Sequence, residues 1–114
     1  MVIDSPSRLD HVFHALADPV RREMVTLLTQ GDKTAGELGA PFEISQPAAS
    51  KHIRTLERAG LLSRSVEGRI HRLRLVSKPL REAETWISRH RQFWEGSLDS
   101  LGRALGEITR GGKA

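Results

Sequence analysis

The side chains best suited to chemistry in this chain lie between Ser45 and Leu62, on a predicted helix. Ser45 can cap the start of this helix with its hydroxyl, Pro47 fits the first turn, and Gly60 is a typical C-terminal stop. The outer face carries hydrogen-bond donors and cations and no acid: Gln46, Ser50, Lys51, Arg54 and Arg58. Such donors on a short helix are what reading of the DNA major groove requires.

Behind this polar face, Ala49, Ile53 and Leu56 recur at helical spacing, which predicts an apolar stripe that faces a core. Base edges and phosphates are the two possible DNA partners of the outer donors, and only contacts with base edges specify sequence. The expected base-edge contacts are Gln46 and Arg54, and the expected phosphate contacts are Lys51, Arg58, Arg64 and Arg72, with Ser45 and Ser50 able to serve either role.

Positive charge is concentrated around the same helix. Residues 45–75 contain seven Lys or Arg and two acids, and therefore a net charge of +5, whereas the whole chain of 114 residues carries +4. The rest of the chain is thus close to neutral. This clustering is typical of a binding site for a polyanion rather than of general solubility.

The elements before this helix complete a helix-turn-helix. Residues 9–16 have the spacing of a short helix, and Asp18 and Pro19 are typical of the first positions of a second. Thr34 and Glu37 form a capping-box pattern for a third helix, which Pro41 ends. Two short helices joined by a tight turn, the second polar on its outer face, predict a helix-turn-helix over about residues 34–59.

After Gly60 the apolar pattern changes to the period of a strand. The runs 62–66 and 69–76 flank Glu67 and Gly68, and Gly68 can supply the positive φ of a tight hairpin. On the second run, arginines 72 and 74 alternate with residues 71, 73 and 75. This predicts a wing over about residues 62–76, with one packed face and one cationic face that can touch phosphates or an adjacent minor groove.

From about residue 79 to 110 the pattern is helical again, with apolar residues repeating every seven positions. A helix of about 30 residues is about 45 Å long, more than a small winged core covers, so we expect self-association through it. Its glycines leave open whether it is one helix or two pieces divided near Gly96. The expected interface residues are Leu80, Trp86, Ile87, Phe93, Trp94, Leu98, Leu101 and Leu105.

Several classes of function are disfavoured. The absence of cysteine excludes disulfides, thiolate metal sites and cysteine nucleophiles. No nucleophile elbow, phosphate loop or metal-hydrolase spacing is present, so we expect no catalytic residues and no enzyme activity. The first ten residues lack an apolar run long enough for a signal peptide or membrane span, and a cytoplasmic location is expected. We predict a single domain of mainly α class with a small β-hairpin.

Histidines and aromatic residues allow alternative interpretations. His11 and His14 lie one turn apart and could pair on a metal, but surface or interface positions are favoured, and no metal or cofactor is expected. His52 could contact a phosphate or pack, and His90 is expected at the dimer surface. The aromatic residues of the last helix could line a pocket for a small-molecule effector, although interface packing is favoured.

Three ordered motifs resemble a known family. ALADPVRREMVTLL (residues 15–28), the 45–62 segment and EGRIHRLRL (residues 67–75) are similar to the ArsR/SmtB family of bacterial transcriptional repressors, and specifically to its metal-free branch with an ALADPxRR helix. The resemblance covers about residues 9–95. It implies a homodimeric winged helix-turn-helix repressor that binds double-stranded DNA at inverted half-sites. The family's recognition positions correspond here to Gln46, Ser50, Lys51 and Arg54, with the wing arginine at Arg69.

The chain departs from the metal-sensing members of this family. Their cysteine-rich pattern is replaced here by residues 37–40, and the last helix offers His90 with Glu82 and Glu84 rather than paired zinc ligands. The expected function is therefore sequence-specific DNA binding without an assigned sensor site. Two alternatives stay open: a ligand- or metal-responsive regulator of the same kind, or a winged helix that binds protein, although such modules commonly lose the basic outer face.

Overall fold

The computed structural model describes the backbone of residues 7–112 and their side chains except at 92, 94 and 107–112. It forms two compact units, the first ending at Ala83 and the second beginning at Glu84. In chain order the elements are α1 (Arg8–Leu16), α2 (Pro19–Leu28), β1 (Lys33–Thr34), α3 (Ala35–Gly39), α4 (Gln46–Arg58), β2 (Leu62–Glu67), β3 (Ile70–Leu75), α5 (Lys78–Arg89) and α6 (Arg91–Gly112). The mainly helical class with a small sheet, predicted from the sequence, is confirmed.

Side-chain caps fix where the helices of the first unit begin. Thr34 and Glu37 make the predicted capping box of α3, and Ser45 accepts a hydrogen bond from the amide of Ala48 at the start of α4. α1 has a capping box that the sequence analysis missed, between Ser7 and Asp10. Each cap satisfies amides that the helix itself cannot pair.

The core of the first unit gathers one face from each of α1 to α4 and the inner face of the sheet. Ile53 and Leu56 of α4 are buried, and Ala49 packs against the same cluster, so the predicted apolar stripe is confirmed. Met24 of α2 and Leu73 of β3 are fully buried in it. Because the core holds one side of α4, the opposite side of this helix is left facing outward.

The wing is part of a three-stranded antiparallel sheet with the order β1-β3-β2. The predicted hairpin of β2 and β3 is present, and Gly68 takes the left-handed backbone conformation (φ 62°) in its turn, between the paired residues Glu67 and Ile70. Strand β1 was not predicted: Lys33 and Thr34 pair with β3. Two residues give no alternation of apolar and polar positions, so a strand this short leaves no periodic signal.

The C-terminal helical segment, whose continuity the sequence left open, is two helices divided at His90 and not near Gly96. The amide of His90 binds the carbonyl of Ile87, three residues back, at 3.2 Å. Its ring nitrogen Nδ1 lies 2.8 Å from the carbonyl oxygen of Trp86, the acceptor that a continuous α-helix would offer to the His90 amide. The imidazole thus replaces the backbone donor and ends α5, whereas Gly96 lies inside α6.

Candidate nucleic-acid interface

The recognition helix α4 presents its polar side chains as one strip. Gln46, Ser50, Arg54 and Arg58 are all exposed and follow one another at four-residue intervals. Residues four apart share a helix face, so these side chains form a strip about 18 Å long at 1.5 Å per residue. Lys51 is exposed beside this strip. Donors capable of binding base edges and phosphates are therefore aligned along one side of a single rigid helix.

Small residues bring α3 close to the start of α4. A Cβ atom placed on Gly39 would lie 3.1 Å from the Cβ of Ala49, so the two helices meet where both side chains are minimal. Beside this contact an open cleft of about 510 Å³ is bordered by Phe42, Ser45 and Gln46, among others. The close approach fixes the angle between the two helices of the helix-turn-helix, and with it the direction in which α4 projects.

The wing places a second set of cations beside β2. Arg72 and Arg74 are exposed on the outer face of β3, and their cross-strand partners on β2 are Ser65 and Ser63. Arg74 forms an ion pair with Asp32 at 3.5 Å, while Arg69 is exposed at the hairpin turn. The structure therefore confirms the predicted alternation of packed and cationic faces on the second strand.

Arg64 has a protein partner that the sequence analysis did not anticipate. Its guanidinium donates two hydrogen bonds to Glu57 of α4, of 2.6 and 3.1 Å, and a third contact of 2.9 Å reaches Nδ1 of His71 on β3. The hydrogen bonds to Glu57 raise the pKa of Arg64 above its ordinary value, against the opposing effect of partial burial. Arg64 thus ties the wing to the recognition helix. Whether it also reaches phosphate stays a prediction.

The predicted interface residues fall into two groups. Leu80 is half-buried and packs against the core of the first unit. In the second unit the side chains of Phe93, Leu98, Leu101 and Leu105 are between 54% and 64% exposed. Trp86 and Ile87 are also exposed, and the side chain of Trp94 lies outside the described residues. α6 therefore carries a row of large apolar side chains that its own unit does not cover.

The remaining candidates from the sequence do not assemble into a site. His11 and His14 are both exposed on α1. Within the part of the chain that the structure describes, no three His, Asp or Glu side chains come together in a group able to hold a metal ion. None of the described helices is long and apolar enough to cross a membrane.

Known proteins are similar to this chain in sequence and in fold. A family model described as a helix-turn-helix domain matches residues 16–64. The transcriptional repressor SdpR of Bacillus subtilis is 34% identical over 79 residues, 69% of this chain and 88% of that protein. The HTH-type transcriptional regulator Rv2034 of Mycobacterium tuberculosis is 33% identical over 96 residues, 84% of this chain and 87% of that protein.

A solved structure extends the likeness to the fold. The crystal structure of an ArsR family transcriptional regulator superimposes with a TM-score of 0.74 at 34% identity, covering 78% of this chain and 98% of that one. This chain belongs to the ArsR family. It is a DNA-binding transcriptional regulator of that family, as the resemblance predicted, and the family consists of regulators rather than enzymes. The matched helix-turn-helix domain contains α4 and its whole polar strip.

Proposed function

We propose that this ArsR-family regulator is a homodimeric repressor that binds an operator made of two inverted half-sites. In this arrangement each subunit inserts its α4 into one major groove, and the two grooves are about 34 Å apart, one turn of the duplex. The observation that supports it is the strip of exposed donors on α4, which is backed by the core and free of acids. Occupancy of the operator would block polymerase.

The proposed contacts divide by chemistry. Arg54 offers two donors that suit guanine, and Gln46 offers a donor and an acceptor that suit adenine, the pairings typical of the major groove. The remaining exposed donors are assigned to phosphates, which position the protein without specifying sequence. Arg64 is assigned to holding the wing on α4, because Glu57 already neutralises it. The proposed phosphate contacts are Lys51, Arg58, Arg69 and Arg72, with Ser45 and Ser50 binding either partner.

The proposed dimer uses the apolar face of α6 with a second copy of this chain as its occupant. Leu98, Leu101 and Leu105 recur at spacings of three and four residues on one helix, the pattern by which helices pack against each other. A self-complementary helix face gives an isologous dimer, and the two-fold symmetry of such a dimer matches an inverted repeat. Burial of these leucines would remove a large exposed apolar surface from water.

Selection of duplexes from a random pool by the purified protein, followed by titration in a mobility-shift assay, tests this function. We expect enriched duplexes to contain two inverted half-sites, and we expect sedimentation to show two protein chains per duplex. Affinity should fall steeply with added salt, because each neutralised phosphate releases a counterion. Enrichment of no sequence, or a strictly monomeric complex, would overturn the proposal.

A further inference from the structure

The two arginines of the ADPVRR motif lie in the first turn of α2 and bind carbonyls at the end of α1, and one of them also contacts α4. Arg21 donates from Nε to the carbonyl of Ala15 at 2.7 Å and from Nη2 to the carbonyl of His14 at 3.1 Å. Its remaining terminal nitrogen, Nη1, lies 3.1 Å from Nδ1 of His52 on α4. One guanidinium at the start of α2 therefore bridges the end of α1 and the middle of α4.

The direction of this hydrogen bond determines which ring nitrogen of His52 is the acceptor. A guanidinium has donors and no acceptor, so the contact is a hydrogen bond only if Nδ1 of His52 accepts. The proton of the neutral imidazole must then sit on Nε2. Arg21 and His52 are both half-buried, which limits competition from water. The geometry is thus a directed hydrogen bond from a charged donor, a class stronger than bonds between neutral groups.

Asp18 binds the backbone amide of the same arginine. Its carboxylate caps α2 by accepting the amides of Val20 at 2.8 Å and Arg21 at 3.1 Å. Partial burial works to raise the pKa of Asp18, but these amide hydrogen bonds and the nearby charge of Arg21 lower it below its ordinary value. The backbone and the side chain of Arg21 are therefore both held in place, and its guanidinium offers α4 a contact at a fixed position.

The position of His52 on α4 connects this contact to the proposed DNA-binding side chains. His52 is the seventh of the thirteen residues of α4, and its side chain lies between the buried stripe and the outer strip. The apolar contacts of Ile53 and Leu56 are not directional, so they alone tolerate small rotations of the helix about its axis. A directed bond at mid-helix resists such a rotation, which would displace Gln46 and Arg54 from the base edges.

We propose that Arg21 is a positioning residue for DNA recognition, which sets the rotation of α4 through its hydrogen bond to His52. This inference rests on the proposed function, because it concerns how that same strip is aimed. It assigns His52 a role inside the protein rather than a contact with phosphate. Loss of the bond should then weaken binding to the chosen operator more than binding to unrelated DNA.

Arg22 provides a matched control for Arg21. Its Nη1 donates to the carbonyl of Leu16 at 2.9 Å, so it also binds the end of α1, but its guanidinium points to α1 and not to α4. Arg21→Gln and Arg22→Gln remove the same charge from neighbouring positions and each disturbs the end of α1. A difference between them in DNA discrimination therefore reports the connection to α4.

Dissociation constants would be measured by fluorescence anisotropy for a duplex of about 30 base pairs selected by the wild-type protein and for a scrambled duplex of equal composition. For the selected duplex we expect Arg21→Gln to weaken binding about tenfold and Arg22→Gln less than about twofold. For the scrambled duplex the two variants should behave alike. Equal losses for the two variants on the selected duplex would overturn the inference.

Variants of His52 complete the test and serve even if Arg21→Gln folds poorly, since they leave Arg21 in place. His52→Leu removes the acceptor and should lose as much discrimination as Arg21→Gln, and the double variant should lose no more than either. His52→Asn offers an oxygen near the position of Nδ1 and should restore binding to within about twofold. The bridge would be contradicted if the double variant showed the product of the two single fold-losses in affinity, or if His52→Asn did not restore affinity for the selected duplex. Wild-type protein that fails to prefer the selected duplex would instead refute the proposed function.

Discussion

Arg64 of β2 and Glu57 of α4 form a paired, charge-assisted contact in which two guanidinium nitrogens reach the two carboxylate oxygens at 2.6 and 3.1 Å. The side chains of both residues are only about one quarter exposed, at 27% and 26%. Planar two-point contacts of this kind fix relative orientation as well as distance. The wing is therefore held to α4. We expect the wing and the outer strip of α4 to contact DNA as one rigid surface.

Removal of the contact between Arg64 and Glu57 should change the placement of the wing on α4 but not the number of phosphates bound. Arg64→Gln is expected to lower the free energy of unfolding by about 1 kcal/mol, given partial burial and partial solvent screening. DNA affinity should fall, but the slope of log affinity against log salt should stay as in the wild type. Arg72→Gln is the control, and its slope should shrink by about 0.9 per subunit. An equal change of slope in both variants would place Arg64 on a phosphate.

Arg54 should determine base preference. Arg54→Ala is expected to cost about 1–3 kcal/mol on the selected duplex and to relax preference at one position of each half-site, as for loss of a guanine contact. Arg58→Ala, on the same strip, should weaken all duplexes alike, since a phosphate carries no sequence. Binding to a panel of single-base operator variants separates the two. If Arg54→Ala lowers every affinity by one common factor, Arg54 binds phosphate instead.

Local rules explain which parts of the fold the sequence could predict. The start of α4 at Ser45, the capping box of α3 and the glycine turn of the wing each depend on residues within a few positions of one another. Such features follow from local backbone geometry, so they can be predicted from the sequence. The same holds for the outer strip of α4, whose exposure follows from the apolar stripe behind it.

Side-chain partners that come from distant parts of the chain were not predictable in the same way. Arg21 meets His52 across 31 positions, and nothing in the spacing of either residue distinguishes that contact from a solvent-exposed pair. The position of Arg64 in a cationic segment predicts a phosphate contact, which stays a prediction, but it gives no sign of the partner Glu57, which the crossing of the wing over α4 brings close. The break at His90 depends on a side chain that competes with its own amide, whereas helix propensity alone favours Gly96.

Asp18 should make stability depend on pH in the acid range. Its pKa is lowered on folding, so its contribution is fully present above the pKa of the unfolded chain, about 4, and is lost as pH falls through the folded value. Asp18→Ala should therefore cost about 1 kcal/mol at pH 7, as for loss of a helix cap. Below the folded pKa of Asp18 the two proteins should converge.

Urea unfolding at neutral and acid pH measures this effect, with Glu23→Ala as the control because Glu23 is an exposed carboxylate on the same helix. The control should track the wild type at both pH values. A cost for Asp18→Ala that is unchanged in acid would show that the loss comes from packing or backbone entropy and not from the ionised cap.

The exposed face of α6 should decide the oligomeric state. Leu101→Lys would place a cation from each subunit in the apolar interface of the proposed dimer, where burial of an unpaired charge costs several kcal/mol. We expect sedimentation equilibrium to show a monomer at concentrations at which the wild type is a dimer. Operator affinity should fall with it, since each half-site would then be bound separately.

Asp99→Lys is the control for this prediction, because Asp99 is exposed on α6 and lies on the opposite side of the helix from Leu101. It also adds positive charge to the helix and should leave the dimer intact. Dissociation by both variants would indicate that charge on α6 matters rather than its leucine face. A dimer that survives Leu101→Lys with unchanged association would exclude this face as the interface, and the symmetric operator would then require a different contact between subunits.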